Sequence, residues 1–534
     1  MTTHEPASVQ RPTPAQEQLF RNLLAMRSAS RWAEGEAVAL QLLDEMPKAI
    51  PVALLGAEMA LRLDHYQTAR RMILRVALPP IGSPEFLLQL VRWLRRFEES
   101  ERIEHLFAGS DWQRMGPPAL LAELALHLGS SGLYPLAEAC TAHALAQAPG
   151  DANLHYLSGM HSMFAGERDS SLGALERALQ IRPGMPNAHM LVAMQADPEE
   201  AARQAPTIRR ALATPRSPEE VAYLSYALHL HLDALGDHDE AWAALMRGHA
   251  ARLSLSPYRR EQQHALFADL QGVEPSRTTR PRDQGDTGLI FIVGMFRSGT
   301  SLVERVLAGH PDVVDGGETM QFAACMRDAV DHDTLDVIDQ VVVERAREID
   351  FEAVRGRMQG YANWRSGGKK WLTEKLPSNF LNLGYILQAI PDAKVIHMHR
   401  DPVATCFSNL RTFFSGSAPY ACDQGDMADY YLRYQELMEH WHGCFPGRIF
   451  DAEYSAFVAD PDGQSHRLLE FCGLEFNART LELERLGGTS ATASAAHVRK
   501  GVLSGRDQAW KNYEGHLGRL IEGLRPAYAR AGRD

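Results

Sequence analysis

Apolar positions in the first half of the chain recur at helical spacing, separated by short breaks rather than long loops. Between residues 50 and 80, Ala53, Leu54, Ala57 and Ala60 fall on one face of a helical segment, and Ala69, Ile73 and Val76 on one face of the next. Residues 218–254 carry another such pair, broken at Gly236-Asp237. The clearest signal is repetition: segments 117–150 and 151–184 are each 34 residues long and close on Ala-Pro-Gly and Arg-Pro-Gly. Gly132 and Gly166 stand 34 apart, as do Ala144 and Ala178, and Pro149 and Pro183. A glycine opens the turn between two helices, a small alanine lets them approach, and the proline stops the second. The pattern predicts five to seven helix pairs between residues 14 and 270. A polar, breaker-rich stretch then runs through residues 273–288, and the periodicity changes. Leu289-Ile-Phe-Ile-Val293 and Lys394-Val-Ile-His-Met-His399 read as buried parallel strands, alternating with helical segments. The prediction is therefore two-part: an all-α repeat array over 14–270, a linker over 271–287, and an α/β doubly wound parallel sheet over 288–534.

Length and composition fit this division. A chain of 534 residues is too long for one ordinary domain, and 45% hydrophobic with 23% charged residues is ordinary for a soluble protein. A net charge of −12 argues against nucleic acid as a partner held on a broad basic surface, though it leaves room for a small basic pocket. The first fourteen residues lack the apolar core of a signal peptide, and the longest apolar run, around 289–296, is far short of a membrane span. The six cysteines form no CxxC pair and no metal-ligand spacing, and they read as reduced and mostly buried. A cytoplasmic location is the expectation.

The first strand runs directly into Gly294-Met-Phe-Arg-Ser-Gly-Thr-Ser301 and then the helical Leu302-Val-Glu-Arg-Val-Leu307. Strand, glycine loop and helix start together aim backbone N–H groups and a helix dipole at a phosphate, in a P-loop-like arrangement. The spacing of Gly294 and Gly299 matches a Walker A loop, but Thr300 stands where its lysine belongs. That lysine reaches the β- and γ-phosphates, so its loss weakens a kinase or NTPase reading. Arg297 supplies a positive charge from inside the loop instead.

Two resemblances follow. The 34-residue period resembles the tetratricopeptide repeat, an array that binds peptides or partners more often than it does chemistry. The second half resembles the sulfotransferases over about residues 288–525. Phe296-Arg-Ser-Gly-Thr-Ser301 is similar to their 5′-phosphosulfate loop, and His310-Pro-Asp-Val313 with Gly316-Gly-Glu318 is similar to the tyrosylprotein members. His399-Arg-Asp-Pro402, with Ser408 eight residues after Arg400, resembles the pair that grips a nucleotide 3′-phosphate. Thr373-Glu-Lys-Leu-Pro-Ser378 puts Lys375 at the catalytic-lysine position, and Glu453-Tyr-Ser-Ala-Phe-Val458 puts Tyr454 against the nucleotide. Ser494, Arg499 and Lys500 resemble the family's late serine-to-lysine segment, and Trp510-Lys-Asn-Tyr513 is typical of bacterial repeat-bearing members. There are departures: Thr412 and Thr319 replace an arginine and a glutamate of the tyrosylprotein enzymes, with Arg411 one place off.

The resemblance implies 3′-phosphoadenosine 5′-phosphosulfate as co-substrate, no metal, and sulfuryl transfer to a hydroxyl. Catalysis would fall to Glu318, Lys375, Arg297 and Ser494, with Glu318 as base ahead of His310. The donor would be bound by Arg297, Ser298, Gly299, Thr300, Ser301, Arg400, Ser408, Tyr454, Arg499 and Lys500. A peptide tyrosine, a carbohydrate hydroxyl and a small phenol or alcohol all stay open as acceptor, with the repeats tilting toward a peptide or protein docked on them. The competing readings are a P-loop nucleotide kinase or NTPase and a catalytically idle repeat scaffold.

Overall fold

A computed structural model describes residues 12–114, 116–275, 279–482 and 506–530. From Pro14–Ser28 to Arg260–Gln271 the chain folds into fifteen α-helices, seven consecutive pairs and one more. Helix starts at residues 50, 84, 118, 152 and 186 are each 34 apart, and those at 32, 66, 100, 134 and 168 interleave with them. The periodicity seen in one pair of segments thus extends over most of this half. Its local causes are as the sequence predicts. Gly166 ends Ala152–Ala165 in the left-handed region at φ +82°, where a side chain would be strained. Ala144 and Ala178 are fully buried at the helix crossings, and the helices ending at Gln147 and Ile181 stop two residues before Pro149 and Pro183.

The second half is built on five parallel strands: β1 (Gly288–Gly294), β2 (Val313–Val314), β3 (Trp371–Lys375), β4 (Lys394–His399) and β5 (Ile449–Glu453). Their order is β2-β3-β1-β4-β5, with β1 central and buried along its whole length. Alternate β1 side chains feed two different cores. Leu289, Phe291 and Val293 pack on one face with Phe322 and Ile386, while Ile290 and Ile292 pack on the other with Val303, Val306 and Leu468. A strand covered on both faces must be apolar at every position, which is why it reads as a continuous run. All six cysteines are free thiols. Among the described residues no helix is long and apolar enough to cross a membrane.

Two expectations change at the boundary. The stretch 271–287 is not a free spacer: the Thr279 N–H and hydroxyl donate to the carbonyls of Gln388 and Ala389 at 3.0 and 2.7 Å, and the Arg282 guanidinium lies 4.4 Å over the Trp371 ring. Nor does the cut separate two cores. Tyr226, Trp242, Leu266, Phe267 and Leu270 from the late helices belong to the same apolar cluster as one face of the sheet. Phe267 packs on Phe380 and Tyr430 at ring distances of 6.3 and 5.4 Å, and Tyr513 donates to Asp233 at 2.6 Å. Arg411 pairs with the same Asp233.

The earlier repeats meet the second half differently, with Trp364 packed on their core beside polar contacts such as Asp64–Arg345 at 2.8 Å and Glu99–Arg357 at 3.0 Å. Polar surface tolerates exposure to water, whereas an uncovered apolar face does not. A fragment of residues 288–534 is therefore expected to aggregate. A fragment starting at residue 186, which keeps the late helices on the sheet, should aggregate less and unfold in one transition. Light scattering and thermal melts check both, and a monomeric, cooperatively folding 288–534 fragment would show that the late helices are dispensable.

Candidate active site

The site lies at the carboxyl ends of β1, β3 and β4, where parallel sheets open a crevice. β1 leaves the sheet through Gly294 and enters the helix Thr300–Ala308 after Gly299. Both glycines are required by close approach. A Cβ on Gly294 would sit 2.3 Å from the Met398 carbonyl oxygen, and one on Gly299 would sit 2.6 Å from the Tyr454 ring. Arg297 itself holds a left-handed φ of +68°, a conformation a non-glycine residue adopts only under constraint from its surroundings. Its Nε donates to the Ser408 hydroxyl at 3.3 Å. The helix Pro402–Leu410 that carries Ser408 is tied back to the loop by Asn409, whose Nδ2 donates to the Phe296 carbonyl at 2.6 Å. Ser298 is 1% exposed, and its hydroxyl has no hydrogen-bond partner among the described residues. Thr300 and Ser301 are buried beside it at the helix start.

β4 runs alongside β1, with Met398 in register with Gly294, so Arg400 leaves the sheet next to the loop. Its guanidinium lies 4.7 Å over the Tyr454 ring, the same ring that Gly299 approaches. Four residues spread over 158 positions, Arg297, Arg400, Ser408 and Tyr454, therefore converge on one loop.

Beyond β2, the turn Asp315-Gly-Gly-Glu318 is moulded on β3. A Cβ on Gly316 would sit 2.0 Å from the Thr373 carbonyl oxygen, and the Lys375 N–H donates to the Gly317 carbonyl at 3.1 Å. The turn brings Glu318 onto Lys375, whose ammonium donates to the Glu318 carboxylate. Lys375 is fully buried, while the Glu318 side chain is 32% exposed. On the other side of the ammonium, Glu304 lies 3.6 Å away and is itself buried. Burial pulls the Lys375 pKa down, but Glu318 and Glu304 outweigh it and hold the value above the ordinary lysine range. Burial, with Asp315 adding to it, pushes Glu304 well above the usual carboxylate range. The adjacent Glu374, buried and bonded by Asn379 at 3.0 Å, is pushed up to about 8 by desolvation.

Glu304 is a site residue that sequence patterning alone does not mark. Its signal was one charge inside the apolar run Leu302-Val-Glu-Arg-Val-Leu307, in the helix that begins at the glycine loop. His310 is tied into the fold through both ring nitrogens. Its Nε2 meets the Glu475 carbonyl at 3.1 Å and its Nδ1 accepts from the Asp312 N–H at 3.1 Å, so both ring nitrogens are occupied. Ser494, Arg499 and Lys500 lie outside the described residues.

Residues 290–478 match the sulfotransferase family. An uncharacterized protein of Aquifex aeolicus (strain VF5) is 28% identical over 379 residues, 68% of this chain and 49% of that protein. The chain thus spans about half the length of that relative. Protein-tyrosine sulfotransferase 1 of Danio rerio is 26% identical over 232 residues, covering 40% of this chain and 61% of its own length. Among solved structures, a sulfotransferase domain from the curacin biosynthetic pathway aligns with 46% of this chain and 98% of its own, at 14% identity and a TM-score of 0.33. The family match thus falls on the second half of the chain and takes in the glycine loop at the end of its central strand.

Proposed function

We propose that the protein transfers a sulfuryl group from 3′-phosphoadenosine 5′-phosphosulfate to a hydroxyl acceptor. The observation that carries this reading is the pairing of two sites. One is a lysine-free glycine loop ringed by Arg297, Arg400, Ser408 and Tyr454, and the other is the Lys375–Glu318 ion pair at a neighbouring strand end. The reaction is an in-line displacement in which the protein positions groups and stabilises charge. The acceptor oxygen bonds to sulfur, the bond from sulfur to the bridging oxygen breaks, and 3′,5′-bisphosphate leaves. Backbone N–H groups of residues 298–301 receive the 5′-phosphate, with the Ser298, Thr300 and Ser301 hydroxyls beside them. Arg400 and Ser408 take the 3′-phosphate, and Tyr454 supports the Arg400 guanidinium. Arg297 and Lys375 meet the charge that grows on the bridging oxygen. Glu318 takes the acceptor's proton, and Glu304 gives Lys375 a second partner when Glu318 turns to the acceptor. Ser494, Arg499 and Lys500 complete the donor site in this reading.

The helical half fits the same proposal as a tetratricopeptide-type array that docks a peptide or protein acceptor, supported by the 34-residue recurrence of its helix starts. A cytoplasmic setting accords with six free thiols. The kinase reading fares worse: Thr300 occupies the position of the missing lysine, and it is buried.

The test is a screen with sulfur-labelled donor against a tyrosyl peptide, a glycan and a small phenol. Label should pass to at least one of them with equimolar release of 3′,5′-bisphosphate, and label reaching none would reject the proposal. Turnover is expected to persist in EDTA, because the cations facing the donor are Arg297, Lys375 and Arg400. Loss of activity that Mg²⁺ restores would contradict this assignment of charge.

A further inference from the structure

We infer that His397, His442 and Asp451 form a binding site for one first-row divalent cation, with zinc the ion the donor set suits. The three come from separate elements: β4, the helix Gln424–Cys444, and the edge strand β5. His397 and Asp451 are direct register partners across the β4–β5 ladder. One ligand atom from each residue lies within 4.8 Å of the others. His397 Nδ1 is 2.7 Å and His442 Nε2 is 3.2 Å from the same carboxylate oxygen, Asp451 Oδ1.

Two imidazole nitrogens converging on one oxygen is the arrangement a cation would bridge. Zinc bonds of 2.0–2.2 Å in tetrahedral geometry separate neighbouring donors by about 3.3 Å. The triad therefore needs to open by roughly half an ångström at its tightest contact, and Asp451, 49% exposed at the sheet edge, has room to move. The second nitrogen of His397 is already committed. Its Nε2 contacts the hydroxyl of the buried Tyr434, which fixes the ring with Nδ1 facing Asp451. Metal-ligating histidines are oriented by such a bond at their other nitrogen. Imidazole and carboxylate donors favour zinc and its first-row neighbours over magnesium or calcium. The partial exposure of His442 and Asp451 leaves a coordination position for water.

The ion would join the edge strand to the sheet and to the helix packed on it. None of its ligands is among the groups assigned to sulfuryl transfer, so removing it should cost stability more than turnover. A competing pair lies nearby on the same helix, where Cys444 Sγ is 3.4 Å from His440 Nε2.

The test is calorimetric titration of chelator-treated full-length protein with Zn²⁺ at pH 7.5, alongside thermal melts. One saturable site and a rise in Tm of several degrees are expected. His442→Ala and Asp451→Asn should each weaken binding about tenfold or more, as loss of a ligand does at least as strongly as loss of its outer-shell partner. Cys444→Ser should leave binding unchanged. Absence of one-site binding, full binding by His442→Ala, or loss of binding in Cys444→Ser would overturn the assignment. Should His442→Ala fail to fold, Co²⁺ added to the unaltered protein decides instead. Visible bands without thiolate charge transfer support the triad, and thiolate charge transfer or no bands at all reject it.

Discussion

Glu318→Gln is expected to lower kcat by about 10²–10⁴-fold while donor affinity stays within a few-fold, the range that loss of a general base produces. An acceptor phenol with a pKa near 10 is mostly protonated at neutral pH, so its oxygen must lose a proton as it attacks sulfur. Glu318 follows a turn in which Gly316 is pressed onto β3 and the Gly317 carbonyl accepts from the Lys375 N–H, so the carboxylate's place is set by backbone rather than by chance packing. Glutamine keeps the size of the side chain, and its amide oxygen still accepts from Lys375. The buried ammonium also keeps Glu304 at 3.6 Å, so the substitution does not strip it of its polar neighbours. A fall in kcat with an unchanged melting temperature therefore reports on the proton transfer itself. His310→Ala is the matched control: it removes the bonds to Glu475 and Asp312, so it should lower Tm and leave kcat nearly intact. Near-normal kcat in Glu318→Gln together with an inactive but folded His310→Ala would transfer the base to the histidine.

Arg400→Ala should weaken binding of adenosine 3′,5′-bisphosphate by about 2–4 kcal/mol, the cost of removing one partner of a charge-assisted contact. That is a loss of roughly 30- to 1,000-fold in affinity. Adenosine 5′-monophosphate, which lacks the 3′-phosphate, should bind the variant almost as it binds the unaltered protein. The geometry explains the selectivity. Arg400 leaves β4 beside the glycine loop but stacks on Tyr454, and in the proposed binding mode the 5′-phosphate would meet the loop's own N–H groups instead. Equal losses for both nucleotides would make Arg400 a structural residue that holds Tyr454 against Gly299.

Much of this was legible in the chain because it depends on local rules. A seven-residue apolar strand, a glycine loop and a helix start leave the same trace in sequence as in space, and β1 with the loop after it is placed where the pattern predicts. The 34-residue period was legible for a similar reason, since each repeat must meet its neighbour with the same small and apolar residues. What escaped is long-range. An amphipathic stripe says that Phe267 and Leu270 are buried but not against what, so the core shared with the sheet could not be read from periodicity. The polar stretch before β1 resembled a spacer because its composition is that of a loop, whereas its backbone and Arg282 are bonded to the domain. Glu304 carries no such trace, because a single glutamate in a helix is ordinarily solvated. Only the fold brings it to a lysine 71 positions away.

The central claim is that the glycine loop holds a 3′-phosphorylated nucleotide and not a triphosphate. Calorimetric titration of the full chain with adenosine 3′,5′-bisphosphate, against ATP with Mg²⁺, tests it without any knowledge of the acceptor. The account predicts one saturable site for the bisphosphate in the absence of metal and at least about tenfold weaker binding of ATP–Mg²⁺, since Thr300 replaces the lysine that grips β- and γ-phosphates. Tighter binding of ATP–Mg²⁺ than of the bisphosphate would contradict it.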